Sequence, residues 1–376
     1  MMNRTYVFEA SYNSRLTSIL RAINLEPVLF LSITLLSLVG LGILYSAGDA
    51  SIELVQKQGF RLGLAFMVMV IVAQIPQQQL YVWTPWFFVL GIVLLLLVLI
   101  MGDVGKGAQR WLDLYVIRFQ PSEMMKLVTP MMLAWYLSEK PLPPKAIPLL
   151  ISAVLVIVPT VLIASQPDLG TSILVAAAGF FVVFLAGLRW RVLFAVVLAG
   201  LAFVPVLWRL MHDYQKQRVL TLLNPESDPL GSGYHIIQSK IAIGSGGLYG
   251  KGWLNGTQSQ LDFLPERHTD FIFAVFAEEF GMMGAIVLLS LYVFIIFRGL
   301  YIASNAQDNF GRLLAGSLSL TFFVYLFVNV GMVSGILPVV GVPLPLVSYG
   351  GTSMVTLMAG FGMMMSINSN RRLLSR

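Results

Sequence analysis

Asp270 ends a long polar segment and begins an apolar one. Residues 212–269 hold ten charged side chains and eight glycines, and they deliver this acid to the start of a run apolar enough to cross a bilayer. An acid at such a boundary suits chemistry on a substrate that lives there. Thr269 and Asp270 equally suit the capping of a helix start, and the residues alone leave both roles open. Glu123 and Lys126 are three apart, so they are neighbours on any helix opened by Pro121. They could form an internal ion pair, or Lys126, inside an apolar stretch, could hold an anion. Asp168, in a Gln-Pro-Asp-Leu-Gly turn, could cap the next helix or face a ligand. Arg218, Lys240 and Lys251 on the long segment are candidate phosphate ligands or simply solvated bases.

These residues need a membrane frame. Apolar residues make up 57% of the 376-residue chain and charged ones 11%, too few to build a soluble surface. Ten apolar stretches recur, at about 27–47, 60–77, 84–101, 123–138, 147–164, 169–187, 191–211, 270–297, 312–334 and 346–367. They are continuous rather than alternating, which predicts helices and not a barrel. Lys and Arg cluster at the termini and alternate connections, which predicts both termini in the cytoplasm and the 212–269 segment outside. Residues 1–26 then form a cytoplasmic segment without a cleavable signal, 27–368 one membrane domain, and 369–376 a cytoplasmic tail.

The sequence also narrows the chemistry. There is no cysteine, and the three histidines show no metal-ligand spacing. The net charge of +6 comes without a long basic run, which argues against nucleic acid. No phosphate-binding loop and no internal repeat are visible, so nucleotide-driven work and an inverted-repeat transporter are both disfavoured. Residues 234–243 read as a short amphipathic helix leading into glycines. Residues 337–353 hold three prolines between two membrane helices. Such irregular backbone is tolerated where it lines a cavity or is buried in protein.

Five segments, RWLDLYVIRFQPSE, QPDLGTS, YHIIQSKIAIGSGGLYGKG, LPERHTDFIFAVFAEEFG and GILPVVGVPLPLVSYGGTS, occur in that order. They resemble the signatures of the SEDS family, the shape, elongation, division and sporulation proteins. The resemblance covers roughly residues 28–368 and looks nearest the elongation branch. It implies an all-α, ten-helix glycosyltransferase of the bacterial inner membrane. Such a protein polymerises peptidoglycan strands from lipid II, with its site facing the periplasm. Asp270 becomes the catalytic carboxylate. Arg110, Glu123, Lys126, Asp168, Arg218, Gln238, Ser239, Lys240, Glu266, His268, Thr269, Ser348 and Tyr349 become substrate contacts.

The resemblance carries further expectations. Departure of a lipid pyrophosphate needs positive charge. Lys126, Arg110 and Arg218 are expected to share a cavity that supplies it; a divalent cation there is an alternative source, and no other cofactor is implied. A class B penicillin-binding protein that crosslinks the product is expected on the eighth and ninth helices and the long segment. Gly281, Gly284, Ala285, Phe322, Phe323 and Phe327 would supply the contact. Membrane lipid and other proteins of the elongation machinery complete the expected partners. Glu278 and Glu279, about 12–14 Å along the helix from Asp270, are expected to be structural. A lipid-precursor flippase and a noncatalytic scaffold remain the alternatives.

Overall fold

The computed structural model describes residues 20, 23–101, 103–105, 108–113, 118–211, 213–228, 231–260, 263–264 and 266–369. Most of the expected N-terminal segment, and the tail from residue 370, lie outside them. In chain order come α1 (Pro27–Ala47), α2 (Ile52–Gln74) and α3 (Gln77–Met101). Three short strands follow, β1 (Asp103–Gly105), β2 (Ala108–Asp113) and β3 (Arg118–Phe119), paired antiparallel in that order. Then come α4 (Pro121–Ser138), α5 (Ala146–Ser165), α6 (Leu169–Leu185) and α7 (Trp190–Leu210). The long polar segment holds α8 (Asp213–Leu223), a 3-10 turn, α9 (Ser232–Gly246) and α10 (Thr257–Gln260). Helices α11 (Ile272–Ser304), α12 (Asn309–Val333) and α13 (Thr352–Ser369) complete the bundle.

Ten of these helices coincide with the ten apolar stretches. Six, α1, α2, α3, α5, α11 and α12, are long and apolar enough by themselves to cross a membrane. Helices α2 and α3 begin earlier than hydropathy suggests, because polar first turns are acceptable at a helix end. Ser51, for example, accepts a hydrogen bond from Leu54 N at 3.4 Å. Large apolar side chains such as Phe60, Trp86, Ile100, Ile147 and Trp190 point outward, as lipid contact allows. Inside, α13 packs along α2, and α12 lies between α11 and α6. Tyr292, Tyr325, Phe310 and Phe322 fill the centre.

The described residues of the 212–269 segment hold more than the one helix expected at 234–243. Helix α9 extends the expected 234–243 helix at both ends and packs against α11. The strap after α9 then enters a break in α11. Gly281 has φ 65° and ψ −164°, a conformation closed to side chains with a Cβ. The helical hydrogen bonds lost there are replaced by the strap. Met282 N donates to Gly247 O at 2.9 Å and Met283 N to Leu248 O at 3.1 Å. In return, Lys251 N donates to Glu278 O at 3.1 Å and Gly252 N to Glu279 O at 2.9 Å. The Glu278 carboxylate accepts from Lys251 Nζ at 2.6 Å, Thr257 Oγ1 at 3.0 Å and Gln258 N at 3.0 Å. Glu279 accepts from the Ser46 hydroxyl. Both acids therefore tie the strap to the bundle, the structural role their depth suggested.

Candidate functional site

Asp270 lies in the turn before α11, half-buried. Phe271 occupies the N-cap position and has no hydrogen-bonding side chain. Helix capping therefore does not explain Thr269 or Asp270. The Thr269 hydroxyl instead donates to Glu266 Oε2 at 2.8 Å. Three contacts hold this turn from outside. Asn329, fully buried on α12, donates through Nδ2 to Asp270 O at 2.9 Å and to Val342 O at 2.8 Å. Ser348 Oγ donates to Thr269 O at 2.6 Å while accepting from Leu344 N at 2.8 Å. Tyr349 N donates to His268 O at 2.9 Å, and the two rings meet edge to face.

The Pro- and Gly-rich stretch between α12 and α13 is the floor beside this turn. Gly341, at φ 75°, approaches the acid so closely that an added Cβ would sit 3.5 Å from Asp270 Oδ2. Its neighbours reach the other way. Val342 packs with Leu174 of α6 and Tyr325 of α12. A Cβ on Gly170 would lie 3.0 Å from Val340 O. The same stretch thus borders both Asp270 and the start of α6. Gln58 of α2 secures its far end, donating through Nε2 to Ser348 O at 3.2 Å.

The other expected residues divide into groups. Glu123 and Lys126 form a buried ion pair at 2.6 Å on α4, with the ammonium 5.2 Å from the Tyr325 ring centroid. Lys126 is 5% exposed, so it brings no free charge to an anion. Of the expected pyrophosphate set, Lys126 is paired with Glu123, Arg218 lies on α8, and the Arg110 side chain lies outside the described residues. Burial of a charge in the bundle is affordable only with such a partner. Asp168 caps α6 through Thr171 N at 3.2 Å and accepts from Gln120 Nε2 at 2.9 Å. Ser239 is buried and donates to Val333 O at 2.8 Å, which fixes α9 to the end of α12. Lys240 is exposed, and its chain lies over Gly335. Gln238 is half-buried on α9, and Arg218 lies on α8. Glu266 is exposed in the turn with φ 51°. Arg110 sits on β2, with its side chain outside the described residues.

Four residues at this site carried a weaker signal in sequence. Asn329, Gln58 and Arg61 are polar residues within membrane helices, which is itself a flag. The Arg61 guanidinium lies 4.5 Å from the Tyr349 ring centroid. His235 of α9 stacks on Phe271, ring centroids 5.5 Å apart, and brings that helix against the turn. Among the described residues, no three His, Asp or Glu side chains converge to hold a metal ion.

The surface expected to meet a partner is smaller than the sequence suggested. Phe322 is 2% exposed and packs on Tyr292 and Phe361, so it is not available. Gly281 is enclosed by the strap, and Ala285 packs against the core. Phe323 and Phe327 remain outward, their rings stacked on α12. Gly284 lines an apolar groove of about 520 Å³ with Gly42 and Trp253.

The fold and site define a polytopic helical membrane protein with an acidic turn where several connections meet at one end. The chain belongs to the FtsW/RodA/SpoVE family of cell cycle proteins, the SEDS proteins, which it matches over residues 22–373. It is 55% identical over 355 residues to the peptidoglycan glycosyltransferase MrdB of Escherichia coli K12, covering 94% of this chain and 96% of that one. Among solved structures it resembles a chain of a peptidoglycan synthase complex that coordinates polymerization and crosslinking. That match has TM-score 0.81 and 32% identity, and covers 93% of this chain and 98% of the other. The rod shape determining protein RodA of Thermus thermophilus matches with TM-score 0.71 and 28% identity, over 92% of this chain and 97% of that one.

Proposed function

We propose that this chain is a peptidoglycan glycosyltransferase of cell elongation, and that Asp270 is its general base. The observation that carries the site assignment is the Asp270 turn, held from three sides by Asn329, Ser348 and Tyr349 rather than by a cap. In the reaction, the 4-hydroxyl of an acceptor sugar attacks an anomeric carbon bearing lipid pyrophosphate. The new C–O bond forms as the bond to pyrophosphate breaks, and the hydroxyl proton passes to the carboxylate. A carboxylate within about 3 Å of that hydroxyl is placed for this transfer. A floor of Pro and Gly backbone beside it lets sugar approach closely.

The Asp270 end faces the periplasm and both termini face the cytoplasm, a reading supported by the excess of Lys and Arg at the other end. A divalent cation at the pyrophosphate would take most of its ligands from phosphate oxygens, as magnesium commonly does; no step above depends on it. The partner is a class B penicillin-binding protein, whose membrane helix packs on α11 and α12 around Gly284, Phe323 and Phe327. Its docking biases the α8–α10 segment toward the active arrangement. Phe323→Ala with Phe327→Ala should then lower both co-purification and stimulation. Unchanged co-purification would move the docking face elsewhere.

Purified protein supplied with lipid II tests the assignment. The parent should make glycan strands, and Asp270→Asn should lower turnover by about 10²-fold or more with folding retained. Parent-like activity in Asp270→Asn removes the carboxylate from the mechanism. A flippase or a scaffold predicts no strand synthesis by the parent.

A further inference from the structure

Arg61 stands nine residues into α2, about 14 Å along the helix from its first residue. It follows the polar first turns and opens the apolar part of this membrane helix, where a guanidinium calls for a partner. Three described acids at this end are already engaged. Glu53 pairs with Lys57 at 2.5 Å, Asp49 pairs with Arg267, and Glu266 accepts from Thr269. Among the described residues, nothing hydrogen-bonds or ion-pairs with Arg61. Its guanidinium stacks on Tyr349, 4.5 Å to the ring centroid, and the nearby Lys57 is a like charge. A Cβ on Gly351 would lie 3.7 Å from its Cδ, so small-residue backbone borders its other side.

That stack fixes the guanidinium and leaves its N–H fork unused, since an aromatic face attracts the cation without consuming donors. Tyr349 is in turn bonded to His268, two residues before Asp270. The charge is therefore tied by two contacts to the acidic turn. A planar fork with unspent donors matches phosphate oxygens two at a time. We propose that Arg61 forms an anion subsite that holds a phosphate of a membrane lipid beside the Asp270 turn. The ligand is a phosphate or pyrophosphate ester on a lipid tail, from the lipid-linked substrate or from an anionic phospholipid. The first source rests on the proposed function, and the second does not.

The test uses the full chain in lipid nanodiscs. One arm titrates lipid II into an Asp270→Asn background, which reads binding without turnover. The other measures retention of phosphatidylglycerol by native mass spectrometry. Arg61→Gln should weaken binding about tenfold or more in at least one arm. Loss in the lipid II arm identifies the substrate phosphate, and should appear in otherwise active protein as a raised KM with kcat nearly kept. Loss only in the phosphatidylglycerol arm identifies bulk lipid. Arg61→Lys keeps charge but not the fork and should bind several-fold more weakly than the parent. This second variant decides the matter if Arg61→Gln fails to fold. Parent-like binding of both lipids by Arg61→Gln, or by Arg61→Lys where it alone folds, overturns the proposal. A parent that makes no glycan defeats the proposed function and leaves the phosphatidylglycerol arm readable.

Discussion

At the end of the bundle remote from Asp270, connections are short and single side chains close them. Asp308 caps α12 through Gly311 N at 3.1 Å and accepts from Gln77 Nε2 at 2.7 Å. Glu26 caps α1 through Leu29 N at 2.5 Å and pairs with Arg298, also at 2.5 Å. Tyr81 bonds Glu139 across α3 and the end of α4. Each acid here does ordinary work, as a helix cap, a link between neighbours, or both. At the Asp270 end, the backbone itself is irregular. Left-handed residues recur at Glu266, Gly281, Gly341 and Leu346, and buried polar side chains from distant helices hold main-chain carbonyls. Regular connections need only caps. An irregular turn that must keep one geometry needs supports from several elements, and such supports are expected where geometry serves chemistry.

The comparison breaks most sharply if disturbance at the Asp270 end acts only through stability. Lys126→Met separates the readouts, because the pair with Glu123 is buried. Removing one partner leaves an uncompensated charge, and should cost about 3–5 kcal/mol of stability. Adding Glu123→Gln to Lys126→Met should recover much of that loss. Thermal unfolding in detergent measures both. Recovery of stability without recovery of glycan synthesis would place the pair in function as well as structure. Equal melting of the single and double variants would show that Glu123 finds another partner.

Asn329 sharpens the comparison at smaller scale. Asn329→Leu fills the same space but removes both donors, leaving Asp270 O and Val342 O without that support. Buried carbonyls left unpaired should cost about 1–3 kcal/mol. If the turn's geometry serves the reaction, kcat should fall about tenfold while KM moves little, as expected when only the transition state is misplaced. A loss of stability with kcat unchanged would make Asn329 a packing residue only.

The frame was legible in sequence because lipid imposes length and apolarity on every crossing helix, so ten stretches gave ten helices. The Asp270 turn was legible only through motif resemblance, since Thr-Asp before an apolar run reads locally as a cap. The pairing of Glu123 with Lys126 followed from spacing, while the apolar setting of Lys126 left an anion-binding role open beside it. Its burial depends on Tyr325, some two hundred residues away, and no local pattern reports that. The role of the strap was hidden for a related reason. Its glycines suggest openness, but they serve close approach to Gly281, whose own need arises from a break in a helix that looks continuous by composition. In sequence Arg61 is one basic residue at the start of an apolar stretch, and only the fold shows that Glu53, Asp49 and Glu266 are engaged elsewhere.

The smallest effect belongs to the opposite end and fixes the baseline. Asp308→Ala removes the α12 cap and the link to Gln77 without approaching the Asp270 turn. Loss of an N-cap typically costs about 1 kcal/mol. Glycan synthesis per folded molecule should match the parent, because Asn329, which holds Asp270 O, lies toward the other end of α12. The midpoint of thermal unfolding and the rate with lipid II, measured on the same preparation, decide it. A kcat reduced as much as in Asn329→Leu would mean that α12 transmits strain along its length. The two ends would then form one mechanical unit, and the difference between caps and cross-supports would lose its functional meaning.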